Sequence, residues 1–166
     1  IQIPVFHCPS TPGGLRRVPV TDWFIEKRRT ARAADELVTA VRIPLPAEPH
    51  GAAYIKLGRY RGEDLAQASV AVLSLPGHVR RVAFGALAAK PFRAGKLEAL
   101  LAGRPLTDAL IDEARSLLSE EIAPITDVRA TKEYRRLATA VMLERALRAA
   151  DDRLAGRGPA YGDRLI

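Results

Sequence analysis

The apolar positions of this chain change their period once. Upstream of about residue 90 they recur every second residue or run unbroken for a few residues; downstream they recur every third or fourth. The first alternating run is Leu37-Val38-Thr39-Ala40-Val41-Arg42-Ile43, stopped by Pro44 and Pro46. As a strand it puts Leu37, Thr39, Val41 and Ile43 on one face and Val38, Ala40 and Arg42 on the other. A second strand is expected over 52–59, with Ala53, Ile55, Leu57 and Arg59 opposed to Tyr54, Lys56 and Gly58. Residues 68–75 are continuously apolar around Val70-Ala71-Val72-Leu73, as in a strand buried on both faces. Pro76-Gly77 is a turn pair, and 79–87 returns as the partner strand of a hairpin. Three helices follow. Arg93 to Leu101 is short and closes near Gly103. A second helix starts at Thr107 and carries Leu110, Ile111, Ala114, Leu117 and Leu118 as its stripe. A third is capped by Thr131 or Asp127 and carries Tyr134, Leu137, Ala138, Val141 and Met142, widened by Leu143 and Leu147.

Strands first and helices afterwards predict an α+β fold: an antiparallel sheet of three to four strands followed by about three helices packed on one face. Residues 1–14 hold Pro4, Pro9, Pro12, Gly13 and Gly14 without a period and read as loop. Gly156-Arg157-Gly158-Pro159 marks a loose tail, so 152–166 is expected to be flexible.

Composition narrows the classes of function. The chain has 166 residues, enough for one domain with a full core, and no apolar run long enough to cross a bilayer. No secretory leader is legible at the first residues, and a single cysteine, Cys8, cannot form an internal disulfide, so a cytoplasmic location is expected. The net charge of +7 invites nucleic acid. The basic residues are interspersed with acids, however, and aromatics make up 5%, too few for a stacking platform, so no nucleic-acid partner is expected. The cluster Lys27-Arg28-Arg29 lacks the glycine-rich loop of a phosphate site and reads as solvated.

No self-contained catalytic set is visible. His7, His50 and His78 sit in expected loops or turns without ligand or triad spacing, and His7 beside Cys8 is half a metal site at most. The acid pairs Glu63-Asp64, Glu120-Glu121 and Asp151-Asp152 are neighbours that diverge on any regular element and read as surface. Asp127-Val128-Arg129 reads as a helix entrance braced by a local ion pair. What stands out is Lys56, a cation inside an otherwise apolar strand, close to the charged corner 60–64. The physics gives a module that binds, positions or supports something, with Lys56 the candidate to touch it.

Several stretches, in order, carry a family resemblance. They are Arg17-Val18-Pro19-Val20 with Asp22-Trp23-Phe24; Asp35-Glu36-Leu37-Val38-Thr39-Ala40-Val41-Arg42-Ile43-Pro44; Tyr54-Ile55-Lys56-Leu57-Gly58-Arg59; Ala68-Ser69-Val70-Ala71-Val72; Ala83-Phe84-Gly85-Ala86 with Pro91-Phe92-Arg93-Ala94; and Pro124-Ile125-Thr126-Asp127-Val128-Arg129-Ala130 with Tyr134-Arg135-Arg136. As a set they resemble the C-terminal part of the FAD-binding medium subunit of the molybdenum hydroxylases, the xanthine dehydrogenase and carbon monoxide dehydrogenase flavoprotein family. The resemblance implies a remnant of the FAD-binding domain at 1–43, the family's C-terminal domain at 44–151 and the tail beyond. It implies an oxidoreductase subunit, not active alone, that walls the flavin ring and passes electrons from iron–sulfur clusters to an acceptor. Its partners would be a molybdopterin-binding large subunit, an iron–sulfur small subunit and the missing half of the FAD domain.

The resemblance places Lys56 near the flavin ring, where a fixed cation would stabilise negative charge on the reduced cofactor. It places Val38 against the ring as an aliphatic contact, and Glu63 and Asp64 on a bordering loop. The glycine-rich loops that grip the FAD pyrophosphate in the family have no counterpart in this sequence, and Tyr60 stands where the family commonly has arginine. The chain is therefore expected to be a truncated or split subunit that binds FAD weakly or not at all by itself. The alternative is a scaffold module of the same fold that no longer binds FAD.

Overall fold

A computed structural model describes the backbone of residues 5–10, 14–44, 46–60 and 65–165. The chain divides into two compact units, 1–47 and 48–166.

In the first unit, β1 (Val5–Ser10) is the middle strand of an antiparallel sheet, flanked by β2 (Gly14–Pro19) and β5 (Ala40–Arg42). Between them lie the single-turn helix α1 (Val20–Trp23) and the small hairpin of β3 (Phe24–Glu26) and β4 (Arg29–Thr30), which turns at Arg28 with φ 62°. Residues 5–10, read from composition as loop, are thus a strand. Pairing on both sides outweighs local propensity, as is usual for strands. The strand expected over 37–43 is shorter than its pattern. Glu36 is buried and accepts hydrogen bonds from the Arg16 guanidinium and from the Ala33 amide at 2.7 Å. That anchor holds the backbone out of the ladder until Ala40. Leu37, Val41 and Ile43, the large apolar residues of one face of the pattern, are exposed. The small core of this unit is Val18 and Trp23, with Phe24, Ala31 and Val38 packed against them.

The second unit holds the main core. β6 (Gly51–Leu57), β7 (Ala68–Leu75), β8 (Val79–Gly85) and β9 (Phe92–Arg93) form an antiparallel sheet in that spatial order. β7 and β8 are joined by a turn at Pro76–His78, where Gly77 takes φ 72°. Three helices follow: α2 (Gly95–Leu101), α3 (Asp108–Glu121) and α4 (Lys132–Leu154). The Thr107 and Thr131 hydroxyls cap α3 and α4, each accepting from an amide three residues on at 3.2 Å. The register puts Ala53, Val72 and Val82 in one row and Ile55, Val70 and Phe84 in the next. These rows face the helices and are buried with Leu97, Leu101, Leu110, Ala114, Leu143 and Leu147. The expected α+β architecture, an antiparallel sheet with helices on one face, is the one observed.

Two features of the helical layer differ from their sequence pattern. The buried side of α4 is Arg135, Thr139, Met142, Leu143, Ala146, Leu147 and Ala150, whereas Tyr134, Leu137 and Val141 face outward. The helix is turned because Arg135 can be buried: its guanidinium donates to the Gln67 and Ala86 carbonyls and to Asp127. Nor is Asp151 a surface acid. It receives both arms of Arg80, a side chain only 1% exposed, and the Ser74 hydroxyl at 2.6 Å. Burial alone would raise its pKa, but the hydrogen bonds from Arg80 and Ser74 hold it below the ordinary value.

The C-terminal stretch expected to be flexible from residue 152 begins with the last turn of α4. From that turn Arg153 donates to the carbonyls of Ala52, Pro159 and Ala160 and stacks on Tyr161, 4.5 Å from the ring centre. The Tyr161 hydroxyl accepts from the Ala52 amide at 3.3 Å, and Arg145 donates to the Leu165 carbonyl at 3.0 Å.

Candidate functional site

The alternation that buries one face of the second sheet leaves the other without a helix. On that face the register lines up Lys56, Ser69 and Gly85 in one row, and Tyr54, Ala71, Ala83 and Arg93 in the next. The middle of both rows is built of small residues. Ser69, Ala71, Ala83 and Gly85 form a low floor, bordered on the β6 side by the exposed Lys56 and Tyr54. Gly85 has a steric reason to be glycine: a Cβ there would lie 2.5 Å from the Ser69 Oγ. Neighbouring strands run about 4.8 Å apart, so two rows of small residues offer a patch wide enough for a planar ring system.

Charge is unevenly satisfied across this face. Arg93 donates to Glu98 of α2, and Arg81 reaches the same carboxylate at 3.6 Å. Both are paired within the unit and share that one carboxylate. Lys56 forms no ion pair among the described residues. It is an exposed ammonium held by a regular strand, which is how a fixed positive potential is presented to a ligand.

β6 is the edge strand of its sheet, and an open groove of about 680 Å³ runs beside it. One wall is Tyr54 to Gly58 with Tyr60; the other is Asp163, Arg164 and Leu165. The backbone amide and carbonyl of Ala52 point out of the sheet, taken by Tyr161 and Arg153. By strand alternation those of Tyr54 and Lys56 point the same way.

The other residues singled out from the sequence are placed as follows. Val38 lies in the first unit, half-buried beside Val18 and Trp23. Glu63 and Asp64 lie outside the described residues. The corner before them ends in Tyr60, 68% exposed. Asp127 accepts from the Arg129 and Ala130 amides and pairs with Arg129 and Arg135, which together hold its carboxyl down to about 2. The local brace expected there is present, with Arg135 as a further partner. What sequence reasoning missed is the floor. Ser69 and Gly85 fall in separate strands, and only the register makes them neighbours of Lys56. Among the described residues no group of three or more His, Cys, Asp or Glu could hold a metal ion.

A four-stranded antiparallel sheet with three helices on one face is a fold with known relatives. Residues 52–150 match the CO dehydrogenase flavoprotein C-terminal domain, and the chain belongs to that family. It is 34% identical over 145 residues to the carbon monoxide dehydrogenase medium chain of Afipia carboxidovorans, covering 86% of this chain and 50% of that protein. It is 33% identical over 143 residues to the glyceraldehyde dehydrogenase medium chain of Sulfolobus acidocaldarius, covering 84% of this chain and 50% of that one. Among solved structures, carbon monoxide dehydrogenase from Hydrogenophaga pseudoflava superposes with a TM-score of 0.82 at 30% identity, over 92% of this chain and 54% of that one. The chain spans about half the length of the curated relatives it matches.

Proposed function

We propose that this chain is the C-terminal part of the FAD-carrying medium subunit of a molybdenum hydroxylase, and that the helix-free face at Lys56 borders the flavin ring. One observation carries the reading: an exposed lysine, without an ion-pair partner among the described residues, at the rim of a flat small-residue floor, in a domain of a flavoprotein family. When bound, FAD supplies the redox chemistry, taking up electrons and handing them to an acceptor. The chain's own residues position and tune. The Lys56 ammonium offsets negative charge gained by the ring on reduction. The floor of Ser69, Ala71, Ala83 and Gly85 admits a flat ring because no large side chain rises from it. The family resemblance read from the sequence would add Val38 as an aliphatic contact to the ring and Glu63 and Asp64 at its border.

The residues present fit the ring end of the cofactor better than its phosphates. The tightest-fitting glycine, Gly51, faces helix backbone in the core, and Gly85 faces Ser69. Neither opens a nest of amides as a pyrophosphate requires. In this reading the grip on the phosphates comes from the half of the subunit not contained in this chain. Electrons reach the ring from iron–sulfur clusters on a small subunit, and a molybdopterin-binding large subunit completes the cytoplasmic assembly.

The test uses the complete subunit, co-produced with its partner chains. Lys56→Ala should lower the flavin midpoint potential by roughly 30 mV, which for a two-electron couple is about 1.4 kcal/mol, with FAD content near that of the parent. An unchanged potential would remove Lys56 from the ring. Separately, this chain alone should lose FAD on gel filtration; stoichiometric retention would overturn the division of labour proposed above.

A further inference from the structure

Three hydroxyl side chains are buried among the described residues. Two have partners at 2.6 Å: Ser74 donates to Asp151, and Thr139 donates to the Arg135 carbonyl one turn earlier in α4. The third is Ser69 of β7, only 9% exposed. Its hydroxyl has no hydrogen-bond partner among the described residues. A polar group taken that far out of water is ordinarily paired, because the hydration it gave up must be replaced. Ser74 and Ser69 belong to one strand, and the fold employs only the one that faces the helices.

The direction of the Ser69 hydroxyl follows from Gly85. A Cβ at Gly85 would lie 2.5 Å from the Ser69 Oγ but 3.9 Å from the Ser69 Cβ. The hydroxyl therefore leans over the helix-free face towards β8, into the space that a side chain at 85 would fill. From the edge inwards, the row reads as the exposed Lys56, the Ser69 hydroxyl and the open position at Gly85. Lys56 and Ser69 stand one strand apart, about 4.8 Å. Any residue larger than glycine at 85 would cover the hydroxyl or push it aside.

The two groups offer different things. The ammonium is a charge; the hydroxyl is a neutral donor. A flat heterocycle on the floor presents ring nitrogens and carbonyl oxygens at its rim, and these accept hydrogen bonds. A hydroxyl that has lost most of its water and holds no protein partner gains from the arrival of such an acceptor. A purely apolar ring would leave it unmatched.

We propose that Ser69 binds the flavin ring directly: its hydroxyl donates to an acceptor on the ring, and Gly85 keeps that hydroxyl uncovered. Resting on the reading that the ring lies beside Lys56, this role adds the group that fixes where on the face the ring is held. Lys56 and Ser69 then divide the work. A neutral donor holds the oxidised and reduced rings to a similar extent, and a group that does not distinguish two states cannot shift the balance between them. Ser69 sets affinity, and the ammonium sets potential.

The test uses the complete subunit, co-produced with its partner chains and depleted of flavin. Ser69→Ala should weaken FAD binding about threefold to tenfold on titration and alter the fine structure of the visible flavin band. Ser69→Cys keeps the bulk but is a weak donor, so it should lose affinity as well. The midpoint potential should move less in Ser69→Ala than in Lys56→Ala. Flavin-free Ser69→Ala should melt within about 2 °C of the flavin-free parent, because the hydroxyl has no protein bond to lose. A larger drop would give the hydroxyl a structural role and overturn the proposal, and parent-like affinity in Ser69→Cys would assign the effect to bulk and overturn it too. Parent-like affinity in Ser69→Ala, with a shifted potential in Lys56→Ala, would overturn the role of Ser69 and leave the flavin face standing. No change of affinity, spectrum or potential in either variant would remove both.

Discussion

The two faces of the second sheet come from the same strands and obey opposite rules. On the helix-covered face, Ala53, Ile55, Val70, Val72, Val82 and Phe84 are apolar and buried. The polar groups there, Arg80 and Ser74, are satisfied by Asp151. On the other face Tyr54 and Lys56 are exposed, Ser69, Ala71, Ala83 and Gly85 are small, Leu73 is buried, and Lys56 is left without an ion-pair partner among those described. Each face even has a glycine at which a methyl group would meet a neighbour, and the neighbours differ. At Gly51 a Cβ would lie 2.0 Å from the Ala150 carbonyl oxygen and 2.4 Å from the Leu154 amide of α4; at Gly85 it would meet only the Ser69 Oγ. One face is filled to stabilise the fold; in the reading proposed above, the other is kept low for the flavin ring. Substitutions should therefore separate stability from binding by face.

The largest effects belong to the covered face. Phe84→Ala should cost about 3–5 kcal/mol in urea denaturation, since Phe84 is fully buried and packs at 5.7 Å centroid distance from Phe92. A cost under about 1 kcal/mol would mean that this face is not the core. Asp151→Ala should cost about 3 kcal/mol by leaving the Arg80 guanidinium buried and uncompensated. The double change Arg80→Met with Asp151→Leu should recover most of that loss, because the penalty is the orphaned charge rather than the absence of a pair.

How legible was this division? Period two in 52–59 assigned Ile55 and Leu57 to one face and Lys56 to the other, and the structure keeps that assignment. The architecture followed from the single change of period, because strand and helix spacing report which side must be buried. Charged residues were where the pattern misled. Arg80, Arg135 and Asp151 look like surface in a sequence, since burial of a charge depends on a partner far along the chain: 71 residues separate Arg80 from Asp151. Arg135 thereby turned the buried side of α4 away from the expected stripe. The floor beside Lys56 was hidden for a related reason. Ser69 and Gly85 become neighbours only through register, which alternation alone does not set.

Two smaller effects sharpen the contrast. Gly51→Ala should cost about 2 kcal/mol, because the obstacle is helix backbone that moves only with α4 itself. Acid should act through Asp127. The Arg129 amide, together with Arg135 and the Ala130 amide, lowers its pKa from 3.8 to about 2 in the folded chain. The unfolded chain therefore binds that proton first. The stabilisation is fully present above about pH 4 and is lost as pH falls towards 2, on the order of 1 kcal/mol after solvent screening. Denaturation curves at about pH 5 and pH 2.5 should show this loss in the parent and a smaller one in Asp127→Asn. An equal loss in both would assign the acid sensitivity to other carboxylates.

Gly85→Ala is the smallest change in stability and the most informative about the helix-free face. Its added methyl group meets a hydroxyl on a single rotatable bond, so Ser69 can turn aside and the cost should stay under about 1 kcal/mol. Ser69→Ala with Gly85→Ala removes the hydroxyl and should bring stability back to the parent's. Binding should not follow stability. The methyl stands on the floor between Ser69 and the edge of β8, where a flat ring needs room, so both variants of the complete subunit should hold less FAD than the parent. If FAD content tracks the denaturation midpoint instead, the floor is a packing feature and the contrast between the two faces is one of exposure alone. If FAD is lost while the midpoint is kept, the glycine is there for the ligand and not for the sheet.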